Sequence, residues 1–210
     1  FGGEPFLIKR HFEILETLVE KGRAKDISIS YNTNGSIYPE QYIDLWKQFK
    51  EVQIFFSVDG VGERFNYIRH PQDFNAVIEN FWKFKEHDWL KVNLFYTVGI
   101  FNIMYMDDLL NYHAENKMDC DIHFNTVYEP KHASAKALPQ NVKQIITDKF
   151  KQHEDSKIQN MLNYMNGEQL EEQYMIEFAR QTKFSDDYRG ESFAKTFPEL
   201  YVHIEDWFND

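Results

Sequence analysis

One pattern, repeated four times along the chain, constrains its fold more than any other feature: a short apolar run turns polar at its C-terminal end and gives way to residues with helical spacing. The clearest copy is Phe55-Phe56-Ser57-Val58-Asp59-Gly60. The others are Ile27-Ser28-Ile29-Ser30-Tyr31-Asn32-Thr33-Asn34-Gly35, Val92-Asn93-Leu94-Phe95-Tyr96-Thr97-Val98-Gly99 and Asp121-Ile122-His123-Phe124-Asn125-Thr126-Val127. Alternation with period two puts Ser57 and Asp59 on one face of a strand that delivers them to the rim of a sheet. Strands separated by helices of this length require crossover connections, and hence a parallel sheet.

The helical segments are expected at His11–Lys21, in a stretch opened by Pro39 whose stripe is Tyr42, Ile43, Leu45, Trp46 and Phe49, then at Pro71–His87, Met104–Asn116, Val142–His153, Lys157–Asn166 and Glu168–Thr182. Gly60 to His70, with Arg64 and Arg69, reads as a long loop at the polar end of a strand, where ligand contacts are commonly placed. Val52, Ile54, Phe56 and Val58 oppose Gln53, Phe55, Ser57 and Asp59, and the third strand repeats this with Val92, Leu94, Tyr96 and Val98 against Asn93, Phe95, Thr97 and Gly99. Burying the polar face is costly unless it binds something. A doubly wound sheet wants both faces apolar, so the better fit is an α/β fold built as a partial (β/α)6 TIM-like barrel with parallel strands. Residues 1–135 are expected to form an incomplete barrel core, truncated at the N-terminus, and residues 136–210 a helical C-terminal extension.

With 34 acidic against 23 basic residues the formal charge is −11, and no basic block offers a nucleic-acid footprint. No apolar stretch is long enough to span a membrane and no secretory leader is evident, which points to a cytoplasmic protein with no membrane partner. The single cysteine, Cys120, excludes an internal disulfide framework. Cys120 and His123 have a metal-like spacing, but two donors are too few for a closed site, and Cys120 sits at the start of its strand, away from the polar end. No Gly-x-Ser-x-Gly elbow supports a serine hydrolase, and no Gly-x-x-x-x-Gly-Lys loop supports a nucleotide triphosphate site.

Taken singly, Gly2-Gly3-Glu4-Pro5 is a tight turn with a surface acid, Asn34-Gly35 and Asp59-Gly60 are ordinary turns, and Arg69 reads as a surface charge before a carboxylate clamp. What changes their meaning is that they fall at the same end of successive strands. In this order, Gly2-Gly3-Glu4-Pro5, Thr33-Asn34-Gly35, Ser57-Val58-Asp59-Gly60 and Arg69 make the chain resemble a radical S-adenosylmethionine (AdoMet) enzyme, of the subgroup with extra iron–sulfur domains of SPASM or twitch type. The likeness covers roughly residues 1 to 130. The stretches Tyr188-Arg189-Gly190-Glu191-Ser192-Phe193 and Thr196-Phe197-Pro198-Glu199-Leu200 are similar to the end of twitch-containing radical proteins.

The resemblance implies a barrel in which a [4Fe-4S] cluster reduces AdoMet to a 5′-deoxyadenosyl radical that removes hydrogen from a substrate, here a peptide or protein, with electrons from a separate donor. It assigns Gly2, Gly3 and Glu4 to the methionyl amine, and Ser57 and Arg69 to the methionyl carboxylate or ribose. It places Thr33, Asn34 and Asp59 at the same mouth and gives Asn102 the nucleoside. The family's three cluster cysteines, in a Cys-x-x-x-Cys-x-x-Cys loop, have no counterpart in these residues. The expectation is therefore a piece of a longer parent: the parent would carry cluster and AdoMet, whereas the supplied chain would bind no cluster, be inactive alone and self-associate through exposed edges. The rival reading is a non-catalytic α/β interaction or ligand-binding domain that keeps the barrel fold.

Overall fold

The computed structural model describes residues 3–209. Gly2, expected in the amine-binding turn, lies outside the described residues. Four strands are present among them: β1 (Ser28–Thr33), β2 (Glu51–Ser57), β3 (Lys91–Val98) and β4 (Ile122–Thr126), in the sheet order β1-β2-β3-β4. β1 and β2 pair in parallel from Ser28↔Glu51 to Thr33↔Phe56, and β2 and β3 from Gln53↔Lys91 to Ser57↔Phe95. β4 runs in the same sense beside β3, with the Leu94 N–H donating to the Asp121 carbonyl and the Val127 N–H to the Val98 carbonyl, each at 2.9 Å. The order follows the sequence without the reversal that marks a doubly wound sheet, as in one arc of an α/β barrel.

The alternation is realised as the sequence predicts. Val52, Ile54, Phe56 and Val58 are at most 1% exposed, while Gln53, Phe55 and Ser57 between them keep partial access to solvent. In β3, Val92, Leu94, Tyr96 and Val98 are buried and Asn93, Phe95 and Thr97 are not. Helices precede or follow the strands: α1 (Lys9–Glu20), α2 (Ile43–Trp46), α3 (Glu63–Ile68), α4 (Phe74–Lys85) and α5 (Met106–Glu115). Five more come after β4: α6 (Gln140–Phe150), α7 (Ser156–Met165), α8 (Gln173–Arg189), α9 (Phe193–Thr196) and α10 (Pro198–Tyr201). None of the described helices is long and apolar enough to cross a membrane.

Several boundaries and one element differ from the sequence expectation, among them α8, which begins at Gln173 and not Glu168, and the stretch opened by Pro39, of which only Ile43–Trp46 is α-helical. The stretch predicted as a loop contains α3, a single amphipathic turn and a half that sinks Phe65 and Tyr67 into the interior after Gly62 at φ 56°. α4 starts at Phe74 rather than Pro71, because the Asp73 side chain caps it by accepting the Ala76 N–H at 2.9 Å. α8 runs past Thr182 to Arg189, where Gly190 at φ 67° takes the left-handed conformation that ends it. Its apolar periodicity fades before the helix does.

The chain divides into two compact units, one of residues 1–58, 72–95 and 119–123, the other of residues 59–71, 96–118 and 124–210. The core of the first is aromatic. Trp46 is fully buried and donates its indole N–H to the Tyr31 hydroxyl at 3.0 Å, and Phe56 meets Phe81 and Phe84 edge-on at 5.5 and 5.4 Å. Burying each such ring contributes about 2 to 3 kcal/mol. The second unit has its own aromatic cluster in Phe101, Phe178, Phe193 and Phe197, with Phe101 and Phe178 at 5.0 Å and Phe193 and Phe197 at 5.2 Å.

The second unit also buries a cation. Lys143 is 1% exposed, donates to Gln169 Oε1 at 2.7 Å, and has no carboxylate partner among the described residues. Burial, helped by the nearby Lys136 ammonium, lowers its amine to about 8 from 10.5. At pH 7 both folded and unfolded states carry the proton, so the fold bears the full cost of the buried charge. Lys143→Met is therefore expected to stabilise the protein at pH 7 by about 1 to 3 kcal/mol in urea unfolding. Because the unfolded chain holds the proton longer as pH rises, the advantage should shrink between about pH 8 and 10.5. A destabilised variant at pH 7 would show that the Gln169 bond outweighs the charge.

Candidate functional site

In the first unit the expected residues meet at the end of β1. The Glu4 carboxylate accepts the Thr33 hydroxyl through both oxygens, at 2.8 and 2.9 Å, and the Asn34 backbone N–H at 3.0 Å. It also takes the Phe6 N–H at 3.3 Å, capping the short turn Pro5–Leu7. Thr33, 2% exposed, in turn accepts the Gly35 N–H at 3.0 Å. Asn34 spends its side-chain oxygen on Ser36, accepting both its N–H and its hydroxyl. Glu4 is thus an anchor as well as a half-buried acid: with three donors on its two oxygens, it pins the residues before α1 to the tip of β1. Gly3 is exposed. Ser57 closes β2 on its partly exposed side, paired with Phe95, and its hydroxyl makes no hydrogen bond to the described residues.

Gly35 holds this tip against the core. At φ 75° it adopts a conformation that favours glycine, and a Cβ there would meet the Phe56 ring and Val77, each at 2.7 Å. Its carbonyl accepts the Asn80 side-chain amide at 2.9 Å.

In the second unit Asp59, Arg69 and Asn102 are brought together. Asp59, 5% exposed, accepts the Thr97 backbone N–H on Oδ1 at 2.7 Å and Arg69 Nε on Oδ2 at 2.6 Å, with Arg69 Nη2 on that same oxygen. Burial pushes the Asp59 carboxyl above its ordinary value, and the guanidinium and the N–H pull against that. Asn102, 3% exposed, donates to the carbonyls of Asp59 and Thr97 at 3.0 and 2.9 Å and accepts the Gly99 N–H at 2.7 Å. Its two amide hydrogens are both spent, so it acts as a brace between the segments after β2 and β3.

These groups line a cavity of about 330 Å³ with Phe101, Val127 and Glu129. Gly99 is needed at its wall, since a Cβ there would lie 2.7 Å from the Ala133 carbonyl oxygen. Arg69 reaches the cavity from the C-terminal end of α3, its side chain 28% exposed and its Nη1 free of partners among the described residues. Sequence reasoning did not single out Phe101 or Glu129 here. The signal for Phe101 was its place between Gly99 and Asn102, whereas Glu129 joins only through the turn after β4.

The site residues of both units, from Glu4 to Asn102, fall within residues 1–112, and over that stretch the chain matches the family model described as the Radical SAM superfamily. Among solved structures it is similar to native anSMEcpe with bound AdoMet, at TM-score 0.51 and 19% identity over 91% of this chain and 47% of that one. It is likewise similar to native anSMEcpe with bound AdoMet and Cp18Cys peptide, at TM-score 0.50 and 19% identity over 90% of this chain and 47% of that one. At that identity the likeness speaks to the fold alone, which is α/β with parallel strands. The chain spans about half the length of the structures it matches. No curated protein matches it in sequence.

The buried Asp59–Arg69 pair is the element to test. Asp59→Asn presents an amide N–H₂ toward a donor and leaves a cation beside an apolar wall, so it should destabilise the fold by about 3 kcal/mol in urea unfolding. A loss under about 1 kcal/mol would mean that Arg69 is held by something other than this carboxylate.

Proposed function

The chain belongs to the radical SAM superfamily, and on that premise we propose that it is the AdoMet-binding core of an enzyme that cleaves AdoMet reductively and takes a hydrogen atom from a peptide or protein. In the proposed reaction one electron from a separate donor breaks the C5′–S bond, releasing methionine and a 5′-deoxyadenosyl radical that becomes 5′-deoxyadenosine on gaining the substrate hydrogen. The observation that carries the reading is that the family match spans the polar ends of β1, β2 and β3. Within the first unit, the Glu4 carboxylate is a charge that suits an ammonium group, and Ser57 keeps an unengaged hydroxyl. The outer edge of Arg69 suits a carboxylate, with Asp59 orienting the guanidinium and Asn102 bracing the backbone around it.

The residues present do not fit a [4Fe-4S] cluster. The only cysteine is Cys120, and burial pushes its thiol up to about 11, which keeps it protonated at neutral pH. Among the described residues no group of three or more His, Cys, Asp or Glu is placed to hold a metal ion. No step is therefore assigned to this chain's residues through the cluster. The same donor set favours a second reading, in which these residues bind AdoMet or a like ligand without radical chemistry.

Titration with AdoMet tests the common part: the chain should bind it, and Arg69→Gln should weaken binding about tenfold or more by removing a charge-assisted contact. The full-length protein, reconstituted anaerobically with iron and sulfide and given AdoMet and dithionite, should form 5′-deoxyadenosine. AdoMet binding without 5′-deoxyadenosine favours the second reading, and absence of binding rejects both.

A further inference from the structure

α8 carries one stripe, residues 175, 178, 182, 185 and 189, that changes character midway, buried and apolar at its start and exposed at its end. Met175 and Phe178 fill it as packing demands, but Thr182, Ser185 and Arg189 continue it with polar groups. The last three line a cavity of about 260 Å³, Thr182 buried, Ser185 half-buried and Arg189 at its exposed mouth. Tyr67 and Phe101, 5.8 Å apart, form an aromatic wall opposite α8, and Phe101 meets Phe178 of α8 at 5.0 Å.

The polar groups on this wall are underused. Thr182 is 3% exposed, yet its hydroxyl has no partner among the described residues. Arg189 gives Nη1 to the Tyr67 carbonyl at 3.3 Å and sits loosely, at 3.7 Å, from Glu191, whose other oxygen is taken by His70 at 2.8 Å. Arg189 Nε and Nη2 keep no partner among the described residues. No acidic side chain lines the cavity, and His132 adds a second nitrogen donor to its rim. Volume narrows the ligand further: pockets for drug-sized ligands begin near about 300 Å³, so this one suits a single ring with a short chain and is too small for a nucleotide.

We propose that the α8 cavity is a binding site for an aromatic carboxylate, whose ring lies against Phe101 and Phe178 and whose acid is held by Arg189 with the hydroxyls of Ser185 and Thr182. The site shares Phe101 with the wall of the cavity beside Arg69, but the argument for it does not rest on the AdoMet reading. The same chemistry is presented by a free arylalkanoic acid and by the C-terminal aromatic residue of a peptide.

The test is titration of the chain with 3-phenylpropionate and with its neutral amide, followed by calorimetry and by amide NMR shifts. The acid should bind about tenfold or more tightly than the amide, with shifts centred on Phe178, Thr182 and Ser185. Arg189→Gln should erase the difference between acid and amide, and the wild-type comparison stands if that variant does not fold. Acetyl-Gly-Phe set against its C-terminal amide separates the sources: tighter binding than 3-phenylpropionate points to a peptide terminus, and equal or weaker binding to a free acid. Equal affinity for acid and amide, shifts confined to another surface, or no saturation by about 10 mM would overturn the proposal.

Discussion

A carboxylate taken almost wholly out of water must be matched by donors or it will unfold its surroundings, and Asp59 is such a group. Thr97 and Arg69 supply the match, which fixes where the guanidinium lies and which edge of it stays available. Asn102 does for the neighbouring backbone what Asp59 does for Arg69, consuming two carbonyls and one N–H that the ends of the strands would otherwise leave exposed to an apolar wall. The cavity in the second unit is therefore shaped by internal bonding before any ligand enters, a preorganised arrangement whose polar surplus is concentrated in Arg69.

Much of this was legible in the sequence because period-two alternation is a strong local signal. It gave the four strands and the split between Val52, Ile54, Phe56 on one side and Gln53, Phe55, Ser57 on the other. The rule stops where the strand stops. Ser57 and Asp59 read as neighbours on one face, but β2 ends at Ser57, and the turn that follows carries Asp59 into the interior while Ser57 keeps access to solvent. Glu4 shows a different limit: its acid was visible, but its partners Thr33 and Asn34 are about thirty residues away, and only the folded chain pairs them. α3 escaped notice because six residues between Gly62 and Arg69 carry too little periodicity to stand out from a loop.

The region after β4 has no strand alternation, yet it is well packed. Phe193 of α9 meets Phe101 and Phe178 edge-on, Phe197 between α9 and α10 packs tilted against Phe101, and Leu200 donates its N–H to the Tyr105 hydroxyl at 3.1 Å. Short helices punctuated by Ser192 as a cap and Pro198 at a first turn do not give a long periodic stretch, so the sequence shows their boundaries more clearly than their contacts. The same cluster gives α8 a firm apolar half and leaves its other half free to be polar.

Gly35 carries a consequence for how a molecule arrives at the tip of β1. The loop there is wedged against Phe56 and Val77 with no room for even a methyl group, and Asn80 holds its carbonyl from α4. A hinge needs slack, and this segment has none, so Thr33 and Asn34 form a rigid sill and not a flap. An incoming molecule must match a contour already set, and selection at that rim works by shape and donor placement, not by a loop folding over the guest.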